Sequence, residues 1–237
     1  MSDTAPELRF EFGANWSSFV TTAFTPARLE AAVKSLQEML GTDDLRGQSF
    51  LDIGCGSGLF SLAACALNAG PVRSFDYDAQ SVAASERLRA GAGIPAARWQ
   101  ISQGSVLDQP YLRQFEPADI VYSWGVLHHT GAMWTAIDNA AGLVRPGGRL
   151  AIAIYNRVDR LGDSSAMWWK IKRQYNRSPR FVRRALETAL WSRSAARDLV
   201  KGRKAKAVDP AKRGMELRHD IRDWLGGFPY EYATAGE

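Results

Sequence analysis

Residues 51–60 read LDIGCGSGLF: an apolar run carrying one acid, then Gly54, Gly56 and Gly58 at alternate positions, then a second apolar stretch. A strand that runs into a glycine loop and on into a helix is a general anion and cofactor site, because backbone N–H groups at the helix start point toward the ligand. Glycine is needed there for positive φ and for close approach of the backbone. Spacing separates the versions of such loops. The dinucleotide pattern G-x-G-x-x-G/A, counted from Gly54 and Gly56, needs a small residue at position 59, where Leu59 stands. The phosphate loop G-x-x-x-x-G-K-[ST] needs a lysine that does not follow.

Outward from the loop, short β-like runs alternate with helical stretches from 47 to 155, the pattern of a parallel sheet with crossover helices. Strands are expected at 49–53, 72–76, 98–102, 119–123 and 149–155. Helices are expected at 59–70, ending at Gly70, at 79–91 with Asp78 as N-cap, and over AMWTAIDNAAGLV before the last strand, stopped by Pro146-Gly147-Gly148. A helix over 25–40 has Thr25 as N-cap and Pro26 in its first turn. Phe10, Phe12, Trp16 and Phe19 precede it, to pack on the core or to cover a ligand. After 155 no strand is expected, only basic amphipathic helices and a short helix and turn in RHDIRDWLGGFPYEY. The expected organisation is a helical cover over 1–46, an α/β core over 47–156 and a basic helical lid or substrate region over 157–237.

The chain has 237 residues, 46% hydrophobic and 23% charged, ordinary globular values with room for one sizeable core. The net charge of +5 is unevenly divided: 157–222 carries +12 and the rest −7. Such a basic region suits an anionic partner or forms solvated helix faces. No stretch approaches the roughly 20 apolar residues of a membrane span, and the start lacks the pattern of a secretory leader. The two cysteines, Cys55 and Cys65, form neither a zinc pattern nor a disulfide framework. These features read as cytoplasmic.

The pattern D-x-G-x-G-x-G, here Asp52, Gly54, Gly56 and Gly58, resembles the class I S-adenosylmethionine-dependent methyltransferases, and the resemblance covers roughly residues 47 to 155. It implies a Rossmann-like parallel sheet flanked by helices, with S-adenosylmethionine as cofactor and S-adenosylhomocysteine as product. It also implies a loop, with Cys55 inside it, that cradles the methionine part and ribose. Asp52 then holds the ammonium, serves as a structural carboxylate for the loop's own N–H groups, or does both. Asp76, 18 residues after Gly58, accepts the ribose hydroxyls, and Tyr77 lies against the adenine. Ser105 or the Val106 N–H takes the place of the family's usual acid at the adenine amino group, Asp108 lying further along. Trp124 lines the cofactor.

SWGVLHH (123–129) is similar to the VLHH or VLEH stretch of small-molecule O- and N-methyltransferases of the ubiquinone-biosynthesis type. It lacks the (N/D)-P-P-(Y/F) sequence of amino-group methyltransferases acting on DNA, RNA and protein glutamine. No acidic cluster for Mg²⁺ is visible, so no metal is expected. Methyl transfer from a sulfonium needs alignment, desolvation and removal of a proton from the acceptor. Histidine suits the proton step. His128 and His129 are the candidates, with His129 ahead because VLEH keeps the second position. Either histidine could instead cap a helix. Tyr155 would orient a hydroxyl acceptor or close the core, and His219, Asp220 and Trp224 would contribute to a lid.

The expected acceptor is a small molecule, anionic or aromatic, methylated on oxygen or nitrogen; Trp168, Trp169 and Trp191 lie among the basic residues of the tail. Contact with a membrane surface is a further reading of that tail. The family's C-terminal hairpin finds no match, so the edge beside strand five could be covered by a homodimer. Two alternatives stay open: an RNA or protein methyltransferase recruited through the basic tail, and a non-catalytic S-adenosylmethionine-binding partner of another protein.

Overall fold

The computed structural model describes residue 10, residues 12–200 and residues 217–237, apart from the side chains of Ala14, 193–200 and 217–220. Five parallel strands make the central sheet: β1 (Phe50–Ile53), β2 (Val72–Asp76), β3 (Trp99–Gln103), β4 (Ala118–Trp124) and β5 (Val144–Ala153). Their order is β3-β2-β1-β4-β5. Chain order reverses at β1, and the carboxyl ends of β1, β2 and β4 open there as a crevice, where open α/β sheets bind ligands.

All four residues of β1 are buried, as a central strand covered on both faces must be. Side-chain alternation sends Phe50 into one layer with Phe19, Leu36, Trp99 and Tyr122. Leu51 and Ile53 go to the other, with Phe75, Val121, Leu127 and Ala136. The first layer is closed by helices α1 (Phe12–Thr22), α2 (Pro26–Leu40), α3 (Leu59–Ala66) and α4 (Ala79–Gly91). The second is closed by the short α5 (Gln109–Leu112) and by α6 (Met133–Ala141). The caps follow the sequence: Thr25 starts α2 by accepting from the Arg28 N–H, and Asp78 starts α4 by accepting from the Gln80 N–H.

Four local expectations need correction. Helix α3 stops at Ala66, not Gly70, because Asn68 takes the left-handed turn (φ 63°) and the Ala69 N–H bonds back to the Ala64 carbonyl. Pro146-Gly147-Gly148 does not precede β5 but bulges within it: the register passes from Ala118↔Val144 to Ile120↔Arg149. Tyr155 lies two residues past the end of β5. Strand structure does not stop at 155, since β6 (Asp159–Arg160) and β7 (Asp163–Ser164) form a small hairpin turned at Gly162 (φ 75°).

Helices α7 (Ser165–Arg177), α8 (Arg180–Val200) and α9 (Leu217–Gly226) follow. The inner face of α7 buries Lys172 and Tyr175, while Phe181 and Trp191 on α8 are exposed. The final segment returns to the sheet: the Ala233 N–H donates to the Tyr155 carbonyl and the Arg157 N–H to the Ala233 carbonyl. Among the described residues, β5 has no strand on its outer side.

Candidate active site

The glycine loop sits at the sheet's reversal point with Gly54, Gly56 and Gly58 all at positive φ (75°, 56° and 78°). Its shape is held from both sides. The Gly54 and Cys55 N–H groups donate to the Phe75 carbonyl of β2, and the Ser85 hydroxyl of α4 donates to the Gly56 carbonyl. A Cβ on Gly58 would come within 2.8 Å of Ser85 Oγ and of the Trp99 ring, so that position excludes a side chain twice over. Cys55 is a buried thiol 3.4 Å from Ser85 Oγ, and desolvation pushes its pKa well up.

Asp52 shares the face of Phe50 and therefore points at α3. Ser61 Oγ donates to its Oδ2 at 2.5 Å, Ser61 pairs with Ser74, and the Trp99 indole N–H donates to Ser74. The carboxylate that accepts from the loop is instead Asp76: its Oδ2 takes the Gly56 N–H at 2.9 Å and its Oδ1 the Asp78 N–H at 2.9 Å. The expectation that Asp52 serves the loop's own N–H groups is corrected by strand alternation. Burial raises Asp52 to about 7 and Asp76 to about 6. Among the described residues neither carboxylate has a cationic side chain in salt-bridge range. Two desolvated carboxylates with no cationic side chain in range, beside a glycine loop held in shape by its own hydrogen bonds, fit a ligand that is cationic at one end and rich in hydroxyls, which is the chemistry of S-adenosylmethionine.

Tyr77 is 59% exposed at the rim beyond β2, and its carbonyl accepts from Gln103 Nε2. Ser105 Oγ accepts from the Leu107 N–H, and Val106 is buried with its carbonyl taken by Asn139. Asp108 caps α5. Trp124 stacks on Tyr122 at 6.3 Å, against the layer of α2 and α3, and the side chain that closes on Gly54 is Val126, which spacing alone did not single out.

At the ends of β4 and β5 a 3₁₀ turn over Leu127–His129 gathers both histidines with Tyr155. The His128 ring lies 4.1 Å from His129 and 4.2 Å from Tyr155; His129 lies 5.6 Å from Tyr155. His129 Nδ1 is 2.6 Å from the Pro229 carbonyl, which only accepts, so Nδ1 carries the proton and Nε2 is the acceptor nitrogen. His128 is buried with neither ring nitrogen hydrogen-bonded among the described residues, and desolvation lowers it to about 2. Burial pushes the Tyr155 hydroxyl up.

The cluster is covered from both ends of the chain. Phe12 of α1 packs on His129 at 5.4 Å, Phe10 packs on Phe12, and a Cβ on Gly56 would meet Trp16 at 3.0 Å. From the other end, the Glu231 N–H donates to the His128 carbonyl, and the Glu231 carboxylate accepts the Met133 N–H, capping α6 where its own N-cap Ala132 offers no side chain. Gly227 approaches His129 so closely that a Cβ there would lie 2.8 Å from Nε2. Trp224 packs on Trp168 at 4.2 Å, and the side chains of His219 and Asp220 lie outside the described residues. Sequence reasoning missed Lys172, Asp223, Tyr230 and Glu231, which the fold brings against this cluster.

The strand order, the reversal point and the glycine cradle define a Rossmann-like cofactor-binding domain. Residues 51–150 match the family model described as a methyltransferase domain. Over this stretch the chain is similar to methyltransferase domains and shares their parallel-sheet fold. Among relatives, a ribosomal protein L11 methyltransferase of Azotobacter vinelandii is 36% identical over 116 residues, covering 49% of this chain and 37% of that one. A ubiquinone biosynthesis O-methyltransferase of Sinorhizobium fredii is 29% identical over 140 residues, covering 57% and 54%. The chain thus spans little more than a third of the first relative and about half of the second. A solved structure from Methanococcus maripaludis, provisionally described as an S-adenosyl-L-methionine-dependent methyltransferase, shares the fold with a TM-score of 0.50 at 22% identity, over 65% of this chain and 67% of that one. Among the described residues no group of three or more metal-ligating side chains occurs, and no helix is long and apolar enough to cross a membrane.

Proposed function

We propose that this protein transfers a methyl group from S-adenosylmethionine to an oxygen or nitrogen of a small-molecule acceptor, with no metal. The glycine loop and Asp76 hold the methionine part and ribose, Asp52 and Asp76 supply the negative charge that a sulfonium and an ammonium favour, and Tyr77 closes on the adenine from the rim. Ser105, the Val106 N–H and Trp124 complete the cofactor's surroundings, and residues 1–46 and 157–237 act as cover and acceptor region. His129 serves as general base: its Nδ1–H is fixed on the Pro229 carbonyl, and Nε2 is the ring nitrogen with the lone pair that accepts a proton. Tyr155 orients the acceptor and His128 stays neutral beside it.

The observation that carries the small-molecule reading is the double cover. Phe12 and the 227–233 segment close over His129, an arrangement that suits an acceptor small enough to be enclosed and kept from water. Relatives named for ribosomal protein L11 support a second reading, a protein acceptor. Incubation with methyl-labelled cofactor and a cell extract, separated into metabolite, protein and RNA fractions before mass spectrometry, decides between them. Label in the metabolite fraction is the expected result; label in protein or RNA overturns it. Binding of S-adenosylhomocysteine with no label anywhere would favour the non-catalytic partner.

A further inference from the structure

Lys172 is fully buried on the inner face of α7, an unusual place for a lysine among so many basic residues. Its Nζ lies 4.8 Å from the Trp224 ring centre, 5.0 Å from Tyr230 and 5.4 Å from Tyr155. Among the described residues this amine has no hydrogen-bond partner, and neither nitrogen of His128 has one either. Both groups flank the same Tyr155 ring. Native structures satisfy nearly all buried polar atoms, so two unmet groups around one ring mark a place built for a partner that supplies acceptors.

We propose that Lys172 is a specificity-determining residue: with His128 beside it, its amine receives the carboxylate of a small aromatic acid whose ring lies among Tyr155, Tyr230 and Trp224. This rests on the methyltransferase reading above and names the acceptor class of that same site. A lysine kept for structure alone is expected to be ion-paired, and the nearest candidate, Asp223 of α9, has one oxygen taken by Asn15 Nδ2 at 2.8 Å and makes no hydrogen bond to Nζ. Tyr230 and Trp224, which cover the amine, belong to the C-terminal segment and α9.

The surrounding charges set a pH dependence. Burial lowers Lys172 to about 7, opposed by Asp223; the other titratable groups facing it are His128, His129, Tyr155 and Tyr230. A carboxylate at Nζ favours the charged amine, so binding takes up a proton above about pH 7 and weakens as pH rises further. The same sign makes Lys172 a cost to folding below its unfolded pKa, present in full once pH falls below about 7. Replacing it with methionine removes a buried amine that has no hydrogen-bond partner among the described residues and leaves an apolar chain of similar length.

The test uses the full chain. Benzoate, phenylacetate and 3-hydroxybenzoate, each paired with its methyl ester, are titrated calorimetrically with and without S-adenosylhomocysteine. The expected result is an acid bound at least ~10-fold tighter than its ester, the margin of one charge-assisted contact. That preference shrinks from pH 6 to 9 and is absent in Lys172→Met, whose Tm equals or exceeds that of the unsubstituted protein. Equal binding of acid and ester, or a preference that survives Lys172→Met, overturns the proposal. Titration of S-adenosylhomocysteine alone reports separately on the cofactor site: its failure to bind sinks the methyltransferase reading, whereas acid preference is read independently of it.

Discussion

The two halves of the crevice differ in how completely their polar groups are satisfied. At the ends of β1 and β2, Asp52, Ser61, Ser74 and Trp99 form one hydrogen-bonded chain, and Asp76 ties the loop to the start of α4. At the ends of β4 and β5, His128 and Lys172 are buried with polar atoms unmet. A network that is complete without ligand holds a rigid, pre-shaped cradle, and its binding cost is low because little must be ordered. The other half leaves three buried side-chain nitrogens without a hydrogen-bond partner among the described residues.

The strongest way to break the comparison is His129→Gln. Loss of a general base costs about 10²–10⁴-fold in turnover, and S-adenosylhomocysteine affinity should hold; steady-state rates with calorimetry check both. A small effect from His129→Gln and a large one from His128→Gln would exchange their roles.

Protonation separates the halves next. Asp52 is raised from 3.8 to about 7, so its contribution to stability is full below pH 4 and lost as pH rises to about 7. Ligand-free protein should therefore lose on the order of 4 kcal/mol across that window, at roughly 1.4 kcal/mol per unit. Asp52→Asn, which keeps an acceptor for Ser61, should flatten the decline in denaturant titrations; parallel curves for the two proteins would refute this. His128 acts in the opposite sense: its lowered pKa makes stability fall as pH drops below 6.5.

Asp76→Ala removes the acceptor for the Gly56 and Asp78 N–H groups. It should weaken S-adenosylhomocysteine binding about 100-fold, given ~1.5–3 kcal/mol per hydrogen bond to a charged group. The smallest change tests the cover. Glu231→Ala strips the cap from α6 and should lower stability by about 1 kcal/mol while loosening the 227–233 segment, seen as faster amide exchange at residues 229–233.

Much of the cofactor half was legible because its signals are local. The glycine spacing, the Asp78 and Thr25 caps and the β2 and α4 limits depend on neighbours within a few residues. Of the two roles read for Asp52, the one as acceptor of the loop's own N–H groups gives way to the period-2 alternation that places it with Phe50 against α3, where it accepts from Ser61. The acceptor half resisted reading: His129 meets Pro229 across 100 positions and Glu231 meets Met133 across 98. Lys172 looked like one more member of a solvated basic face.

The sequence by itself determined the strand, loop and helix around LDIGCGSGLF, and with them the class of cofactor, because backbone φ, glycine spacing and side-chain alternation act over short range. Only the tertiary structure decided which histidine has its tautomer fixed, that the two chain ends close over it, and that Lys172 is buried with no hydrogen-bond partner among the described residues. Those depend on which distant surfaces pack together, and packing of apolar area is non-directional, so no spacing rule along the chain encodes it.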